Sequence, residues 1–236
     1  MGLTAENVAE QWDVSREEMD RFAQRSQERA VEAQRSGFFA REITPYPKDD
    51  GTVVTADDGP RPDSTLERLA SLGPAFKESG RVTAGNACPL NDGAAAVLVT
   101  SAEYAARHGL RPRARIVASS VTGVAPEIMG VGPIDAVRAV LAQARMTIDD
   151  VEVMELNEAF AAQVLACTSA LGLGDADADR LNVNGSGISL GHPVGATGAR
   201  ILATLLRELD RRQGRYALET MCIGGGQGLA AVFERV

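Results

Sequence analysis

Aromatic side chains and histidines are scarce in this 236-residue chain. Phe, Trp and Tyr make up 4% of the residues, and there are two histidines. Because proteins stack nucleic-acid bases on aromatic side chains, this scarcity argues against such a surface. Basic residues are outnumbered, 24 against 32 acidic ones, which gives a net charge of −8. An acidic balance disfavours nonspecific binding to nucleic acid or to an anionic membrane surface.

Long apolar runs and a cysteine framework are lacking as well. No run approaches the roughly 18 to 20 residues of a membrane span, and the first residues lack the regions of a signal peptide. Three widely spaced cysteines do not make a disulfide framework. Two histidines without a CxxC pair are too few for a Cys/His zinc site. We therefore expect a soluble, cytoplasmic protein without a metal.

The first 92 residues are predicted to form helices around a long irregular segment. Ser15 and Glu18 make a capping box, and apolar residues follow at helical spacing until Gly37. Prolines and glycines break up residues 37–62, which predicts a long loop. A second capping box at 64–67 predicts a short helix that ends at Gly73-Pro74.

From Gly93 onwards, strand and helix patterns alternate. A glycine turn at 224–228 joins the last two predicted strands as a hairpin, so we expect an α/β fold with a mixed sheet and helices on its faces. The predicted strands are 94–99, 115–121, 151–156, 181–183, 216–223 and 229–233. The predicted helices are 102–108, one that starts near Pro133, 158–171 and 196–212, and 175–180 is a polar loop.

Asn157 stands where a predicted strand ends and a predicted apolar helix begins. Asn is among the best helix N-caps, which explains the residue without any function. Active sites also gather at the carboxyl ends of strands in α/β sheets, so an oriented catalytic amide is the alternative. The motif alone leaves both interpretations open.

His192 lies in a glycine-rich run, 184–198. The run does not fit a dinucleotide fingerprint, because the third glycine comes one position too late, and it lacks the Gly-Lys-Ser/Thr of a phosphate loop. Pro193 biases His192 towards an extended backbone. A structural histidine and a catalytic base both fit this pattern.

Cys222 precedes a run of glycines at the end of a predicted strand. A buried, inert thiol is one interpretation. A thiol beside the exposed N–H groups of a glycine turn also has what acid/base chemistry and oxyanion binding require. Cys167 falls inside the apolar helix, where we expect it only to pack.

Three motifs resemble, in this order, the NEAFA, GHPxG and CxGGG signatures of the thiolase family. They are Asn157-Glu158-Ala159-Phe160-Ala161, the run from Gly191-His192-Pro193 to Gly198, and Cys222-Ile223-Gly224-Gly225-Gly226. Segments 2–7, 82–87 and 91–93 also resemble the family. The match runs over the whole chain. It implies a thiolase-like layered αβαβα fold of two similar halves, with a coenzyme A-binding loop domain inserted in the first.

This resemblance implies a domain division and a departure from the family. Residues 1–92 would be part of the loop domain, 93–114 the end of the N-terminal half, and 115–236 the complete C-terminal half. A thiolase attacks with a cysteine in its first half, and the resemblance implies that roughly the first 150 residues of a family member are absent. We expect a fragment, or one part of a split enzyme, that is inactive without the upstream segment carrying this nucleophile.

The family's reaction, part of fatty acid metabolism, is the thiolysis of 3-ketoacyl-CoA or the reverse condensation of two acyl-CoA molecules. Coenzyme A is a substrate or product, and no cofactor is bound permanently. By resemblance, His192 activates the nucleophile and donates to the thioester oxyanion, and Asn157 holds a water there. Cys222 exchanges the α-proton of the acetyl group, and the backbone N–H of Gly224 stabilises the enolate.

The resemblance further assigns coenzyme A contacts to Arg61, Phe76, Ala84 and Ala87, and places Met1 in the substrate pocket. Arg61 would meet a phosphate and Phe76 would pack on the pantetheine or adenine; without the resemblance, Arg61 is a solvated loop charge. Family members are homodimers or homotetramers. The acidic composition and the lack of long apolar runs, noted above, leave neither nucleic acid nor membrane as an expected partner.

One local difference bears on the substrate. Cys88-Pro89 stands where many thiolases have Ser-Gly beside the pantetheine. The change favours a longer or bulkier ketoacyl group than acetoacetyl, or else reflects drift in a tolerant loop.

Three other functions fit parts of the pattern. A cysteine hydrolase would use Cys222, His192 and Asn157 as nucleophile, base and orienting amide, and acylation of Cys222 by an acyl-CoA would favour it. A noncatalytic coenzyme A-binding subunit would not need all three residues. A ketoacyl synthase usually has histidine or asparagine in place of Cys222.

Overall fold

The computed structural model describes all residues, 1–236, as eight α-helices and six β-strands. The helices are α1 (Gly2–Gln11), α2 (Arg16–Arg35), α3 (Leu66–Ala70), α4 (Ala102–Arg107), α5 (Gly132–Ala144), α6 (Ala161–Ala170), α7 (Gly187–Leu190) and α8 (Thr197–Arg212). The strands are β1 (Tyr46–Pro47), β2 (Val53–Val54), β3 (Ala114–Gly123), β4 (Val153–Leu156), β5 (Tyr216–Ile223) and β6 (Gln227–Arg235). None of these helices combines the length and apolar character needed to cross a bilayer.

Four strands form the main sheet, in the order β3-β6-β5-β4. The β5–β6 pair is the predicted glycine-turn hairpin, and β3 pairs antiparallel with β6. Only β4 and β5 are parallel, with Leu156 opposite Thr220. The predicted mixed sheet is therefore confirmed, and β4 and β5 end at the same edge.

Alternating side chains bury the two faces of this sheet under different helices. Leu218 and Val232 point into a large core shared with α5 and α6, whereas their neighbours Ala217 and Phe233 pack with Leu205 of α8. Because successive side chains of a strand point to opposite faces, α5 and α6 cover one face and α8 covers the other. The sheet lies between two helical layers.

Helices α1 and α2 join the same core from the outer side of α6. Val8 of α1 and Met19 of α2 are fully buried in that core. The predicted capping box starts α2: the Ser15 hydroxyl accepts from the Glu18 backbone N–H, and the Glu18 carboxylate accepts from the Ser15 backbone N–H. Helix α1 was not predicted, because its apolar residues are few and no capping side chain marks its start.

The start of α5 lies directly on the backbone of β6. A Cβ on Gly228 would stand 2.1 Å from the Gly132 carbonyl carbon, and a Cβ on Gly132 would stand 2.5 Å from the Gln227 carbonyl oxygen. No side chain fits between the two backbones at this point. Two glycines from distant parts of the chain thus set the distance between helix and sheet.

The predicted strand 94–99 is wrong. These residues form neither helix nor strand, and Leu98 is 75% exposed. The apolar run has strand character, but no other strand of the structure lies beside it to complete a ladder. An isolated strand leaves its N–H and C=O groups without partners and is not stable.

Two further local predictions are corrected. The strand predicted at 181–183 is reduced to a bridge between Leu181 and Met154, because Asn182 adopts a left-handed φ of 47° and its side chain bonds to the backbone of Leu156 instead. The second capping box does not form: Thr65, not Ser64, caps α3, and the helix ends at Ala70.

The remaining elements follow the sequence pattern closely. Helix α4, β3, β5, β6, α5 and α8 lie within a few residues of their predicted positions. The loop 37–62 adds only one 3-10 turn and the two-residue strands β1 and β2, and 175–180 forms a 3-10 turn rather than an open loop.

Candidate functional site

Asn157 and Cys222 come together at the edge where the parallel strands end. Asn157 follows β4 directly, and its backbone N–H donates to the Thr220 carbonyl of β5 at 3.1 Å. Cys222 lies two residues further along β5. Parallel pairing thus places an amide and a thiol, 65 positions apart in the chain, on adjacent strand ends.

The structure decides against Asn157 as a helix cap. Helix α6 begins at Ala161, and its N-cap position is Phe160. The Asn157 side chain is fully buried, and its Nδ2 lies 3.4 Å from both ring nitrogens of His192. Its Oδ1 is buried without a hydrogen-bond partner. The amide is therefore oriented towards His192.

Glu158 fixes the loop that carries this amide. Its buried carboxylate accepts from the Ser26 hydroxyl at 2.6 Å, the Asn182 amide at 2.9 Å and the Ile188 backbone N–H at 3.2 Å. Burial raises the pKa of Glu158, and these three donors oppose that rise. The loop after β4 is thereby tied to α2 and α7.

His192 is half-buried and held from both sides. Its backbone N–H donates to Asn91 Oδ1 at 2.9 Å, and its ring Nδ1 lies 2.6 Å from the Thr197 hydroxyl. The preceding Gly191 has a φ of 98°, and a Cβ there would stand 2.5 Å from the Asn91 amide nitrogen, so only glycine fits. Burial, and secondly the charge of Arg200, lower the pKa of His192. The ring is neutral at pH 7 and suited to accept a proton.

Cys222 is a protonated thiol at neutral pH. Burial raises its pKa to about 11, with a further contribution from Cys88. Burial likewise raises the pKa of Cys88 to about 11. Cys167 is buried in α6, where its pKa is far above the ordinary value and its Sγ faces the Gly130 carbonyl at 3.6 Å. None of the three thiols is activated as a thiolate nucleophile, although Cys222 can donate and recover a proton.

The glycine turn after Cys222 is clamped on one side and open on the other. Gly226 accepts from the Val124 backbone N–H at 2.8 Å, and a Cβ there would stand 2.3 Å from the Val124 carbonyl oxygen. A Cβ on Gly224 would meet nothing within 4 Å. Gly224, two residues after Cys222, thus faces free space, whereas Gly226 at the other end of the turn is held against Val124.

Several residues of the expected coenzyme A contact gather beside Phe160. Ala87 forms a β-bridge with Phe160, and the half-exposed Phe76 ring meets the Phe160 ring edge-on, with 6.1 Å between centroids. Phe76 also lies against Gly2, which brings the exposed Met1 to the same side. Ala84 is exposed nearby in sequence.

Arg61 lies apart from this group. Its side chain is exposed, and its backbone N–H donates to the Gln27 side chain of α2 at 2.7 Å. Its guanidinium forms neither an ion pair nor a side-chain hydrogen bond within the chain. The structure leaves it free to meet a solvent-borne anion and gives no contact between it and the Phe160 group.

An open cleft lies elsewhere. It has a volume of about 630 Å³ at the other end of α8 and is lined by Arg29, Arg41 and Arg207 among others. The Arg29 guanidinium is already committed to the Ala178 and Leu181 carbonyls. We place the chemistry at the sheet edge, because the Asn157 amide beside the His192 ring is there and Cys222 lies on the adjacent strand. No group of three or more His, Cys, Asp and Glu side chains is arranged to hold a metal ion.

Two family models match nearly the whole chain. The thiolase N-terminal domain matches residues 1–103, and the thiolase C-terminal domain matches residues 110–235. The chain belongs to the thiolase family.

Curated relatives support this membership. This thiolase chain is 52% identical over 240 residues to a beta-ketoadipyl-CoA thiolase of Acinetobacter baylyi, and 53% identical to the 3-oxoadipyl-CoA/3-oxo-5,6-dehydrosuberyl-CoA thiolase of Escherichia coli K12. Each alignment covers 100% of this chain and 60% of the relative. The chain thus spans about three fifths of the length of these relatives.

Solved structures confirm the thiolase-like fold. The acetyl-CoA acetyltransferase of Bacillus anthracis superposes with a TM-score of 0.96 at 46% identity, covering all of this chain and 60% of that one. Human mitochondrial 3-ketoacyl-CoA thiolase in complex with CoA superposes with a TM-score of 0.93 at 42% identity, covering all of this chain and 59% of that one.

Two site residues escaped the sequence analysis. Thr197 touches the His192 ring, and Asn91 holds the His192 backbone, although 91–93 was noted only as part of a resemblance. The signal for Thr197 is its spacing: it follows His192 by five residues and is the first residue of α8. In the sequence alone, a threonine at this position is explained by the start of a helix. Its contact with the His192 ring becomes evident only from the turn at Pro193.

Proposed function

We propose that this chain supplies the acid/base and oxyanion-binding part of a thiolase that cleaves 3-ketoacyl-CoA or condenses two acyl-CoA molecules. The observation that carries the proposal is the position of Asn157, which lies beside the His192 ring and is bonded to β5, the strand that carries Cys222 next to its last residue. Three chemically distinct groups share one edge of the sheet.

In the cleavage direction, a nucleophilic thiol gives its proton to His192 and adds to the C3 carbonyl. The C2–C3 bond breaks, and the acyl group stays on the nucleophile as a thioester. The electron pair left on C2 becomes the enolate of acetyl-CoA, which takes a proton from Cys222. The coenzyme A thiol then gives its proton to the Cys222 thiolate and attacks the thioester carbonyl; the C–S bond to the nucleophile breaks, and His192 returns the proton to the released thiol. Asn157, through a water, and the N–H of Gly224 stabilise the negatively charged oxygens that form.

The nucleophile of this scheme is not among the three thiols of the chain. Cys222 serves as the acid, Cys167 is buried in α6, and Cys88 has a raised pKa with no base bonded to it. We therefore propose that another polypeptide segment brings the cysteine, and that this chain alone is inactive in thiolysis.

The substrate and the surroundings of the site complete the proposal. The relatives named for 3-oxoadipyl-CoA, together with Cys88-Pro89, favour a ketoacyl group longer than acetoacetyl. Coenzyme A would contact Phe76, Ala84, Ala87 and Arg61, with Met1 beside the acyl group. We assign 1–92 to the loop domain, 93–114 to the end of the first half and 115–236 to the second half, in a cytoplasmic homodimer or homotetramer.

Proton exchange at the methyl group of acetyl-CoA tests the role of Cys222 without needing the nucleophile. Incubated with acetyl-CoA in D₂O, the chain should replace methyl protons by deuterium, as followed by ¹H NMR. Cys222→Ala should abolish this exchange, whereas Cys88→Ser should retain it. Absence of exchange by the unmodified chain, or full exchange by Cys222→Ala, contradicts the proposal.

Thiolysis tests the need for a second segment. The purified chain should not cleave acetoacetyl-CoA or 3-oxoadipyl-CoA in the presence of coenzyme A. Co-expression with the nucleophile-bearing segment of a relative should give cleavage that Cys222→Ala and His192→Gln abolish, while His108→Gln preserves it. Turnover by the purified chain, or acylation of its Cys222, would favour the cysteine hydrolase instead.

A further inference from the structure

Thr197 is the one hydroxyl in contact with the His192 ring. Its Oγ1 lies 2.6 Å from Nδ1 and 3.0 Å from the Pro193 carbonyl oxygen. The side chain is 1% exposed, so water does not compete for either contact. A threonine hydroxyl has one proton and two lone pairs, and the two contacts must share them.

The two possible arrangements differ in the protonation of the ring. If the hydroxyl donates to the Pro193 carbonyl, it accepts from Nδ1–H, and the other ring nitrogen, Nε2, carries a free lone pair. If the hydroxyl donates to Nδ1, the proton of the neutral ring is on Nε2. The pattern of hydrogen bonds around the ring therefore decides which nitrogen can act as a base.

The Pro193 carbonyl favours the first arrangement. The Asn157 amide does not choose between the ring nitrogens, because its Nδ2 lies 3.4 Å from each of them. A carbonyl oxygen can only accept a hydrogen bond, so a hydroxyl that bonds to it must donate. The Pro193 carbonyl, 3.0 Å from the hydroxyl, provides the acceptor that the threonine proton needs.

We propose that Thr197 is a positioning residue whose hydroxyl accepts the Nδ1 proton of His192 and so leaves Nε2 free as the base of the site. The tautomer follows from the contacts alone, and its use as a base rests on the proposed function. Threonine suits this place, because its branched side chain has few rotamers and it starts a helix held by the turn at Pro193. The ring is thus fixed before any substrate binds.

Long-range ¹H–¹⁵N correlation NMR of the ¹⁵N-labelled chain tests the tautomer directly. The chain has only two histidines, so a His108→Gln variant assigns the signals of His192. We expect neutral His192 to be protonated on Nδ1 in the unmodified chain and in Thr197→Ser. Thr197→Val keeps the shape but removes the hydroxyl, and should shift the major population to the Nε2–H tautomer.

The direction of the pKa change separates the two arrangements. Loss of an acceptor from Nδ1–H destabilises the imidazolium, so Thr197→Val should lower the pKa of His192 further. Loss of a donor to Nδ1 would instead raise it. A raised pKa, an unchanged tautomer in Thr197→Val, or Nε2–H in the unmodified chain overturns the proposal. Finding Nε2–H in the unmodified chain would overturn the proposal even if Thr197→Val did not fold. None of these three results depends on the acetyl-CoA exchange experiment.

Discussion

A single guanidinium stands among several buried carboxyl groups beneath the site. Glu155 and Glu219 are buried, and burial raises the pKa of both, while the charge of Arg200 opposes the rise. Arg200 donates to the Ser186 hydroxyl at 3.3 Å, and its Nε and Nη1 atoms are buried without partners. One cation does not offset every carboxylate in this region, so part of the cluster remains protonated at neutral pH.

Glu219 should make the stability of the chain depend on pH. Its pKa is raised from 4.5 to about 8. The stability that the neutral carboxyl contributes is therefore complete below pH 4.5, declines as the pH rises, and is lost once the pH passes about 8. We expect the free energy of unfolding to fall over this range, and Glu219→Gln to reduce the slope.

Urea titrations at several pH values measure this slope. One group changes the free energy of unfolding by at most about 1.4 kcal/mol per pH unit. Glu17→Gln, which alters a carboxylate that is 72% exposed, is the matched control and should leave the slope unchanged. If the free energy of unfolding changes with pH in the same way in Glu219→Gln and in the unmodified chain, Glu219 ionises normally in the folded state and the prediction is wrong.

Helix starts show how far local sequence determines an element. The capping box at Ser15 was correct, because a long apolar face follows it and packs into the core. The box at 64–67 has the same letters, but α3 has only five residues and Thr65 provides the cap. Asn157 has an excellent capping side chain but caps nothing. A capping motif thus gives the region of a helix start, and tertiary contacts choose the residue.

The two candidate caps of α3 can be compared directly. The Thr65 hydroxyl accepts from the Arg68 backbone N–H, whereas the Ser64 hydroxyl makes no hydrogen bond within the chain. Thr65→Ala should lower the free energy of unfolding by about 1 kcal/mol. Ser64→Ala should change it by less than about 0.5 kcal/mol. Urea denaturation of both variants measures the difference, and a larger loss in Ser64→Ala would restore the cap expected from the sequence.

The molecule as a whole combines a well-packed sheet with a segment that has nothing to pair with. Most strands and helices were predictable, because their apolar patterns match burial within the chain. The conformation of the run 94–99 was not predictable, because its apolar pattern is that of a buried strand and no other strand of this chain lies beside it. Local pattern singled out Asn157, His192 and Cys222, and the family resemblance gave their expected roles. Contacts such as that of Thr197 depend on how distant turns meet, which no local pattern contains.

Hydrogen–deuterium exchange should map this contrast. The amides of residues 93–100 donate no backbone hydrogen bond, whereas those of β5 lie between two paired strands. We expect residues 93–100 to exchange within seconds and β5 to exchange only on global unfolding. Mass spectrometry at two protein concentrations measures both. Concentration-dependent protection of 93–100 would show that a second copy pairs with the run, and protection at both concentrations would contradict the structure there.

The contact between Gly132 and Gly228 limits how parts of this thiolase can be exchanged with those of its relatives. The turn beside Cys222 belongs to the hairpin that touches the first residue of α5 without any side chain between them. A chimera that takes the hairpin from a relative must therefore take the start of α5 with it, since the two backbones fit only as a pair.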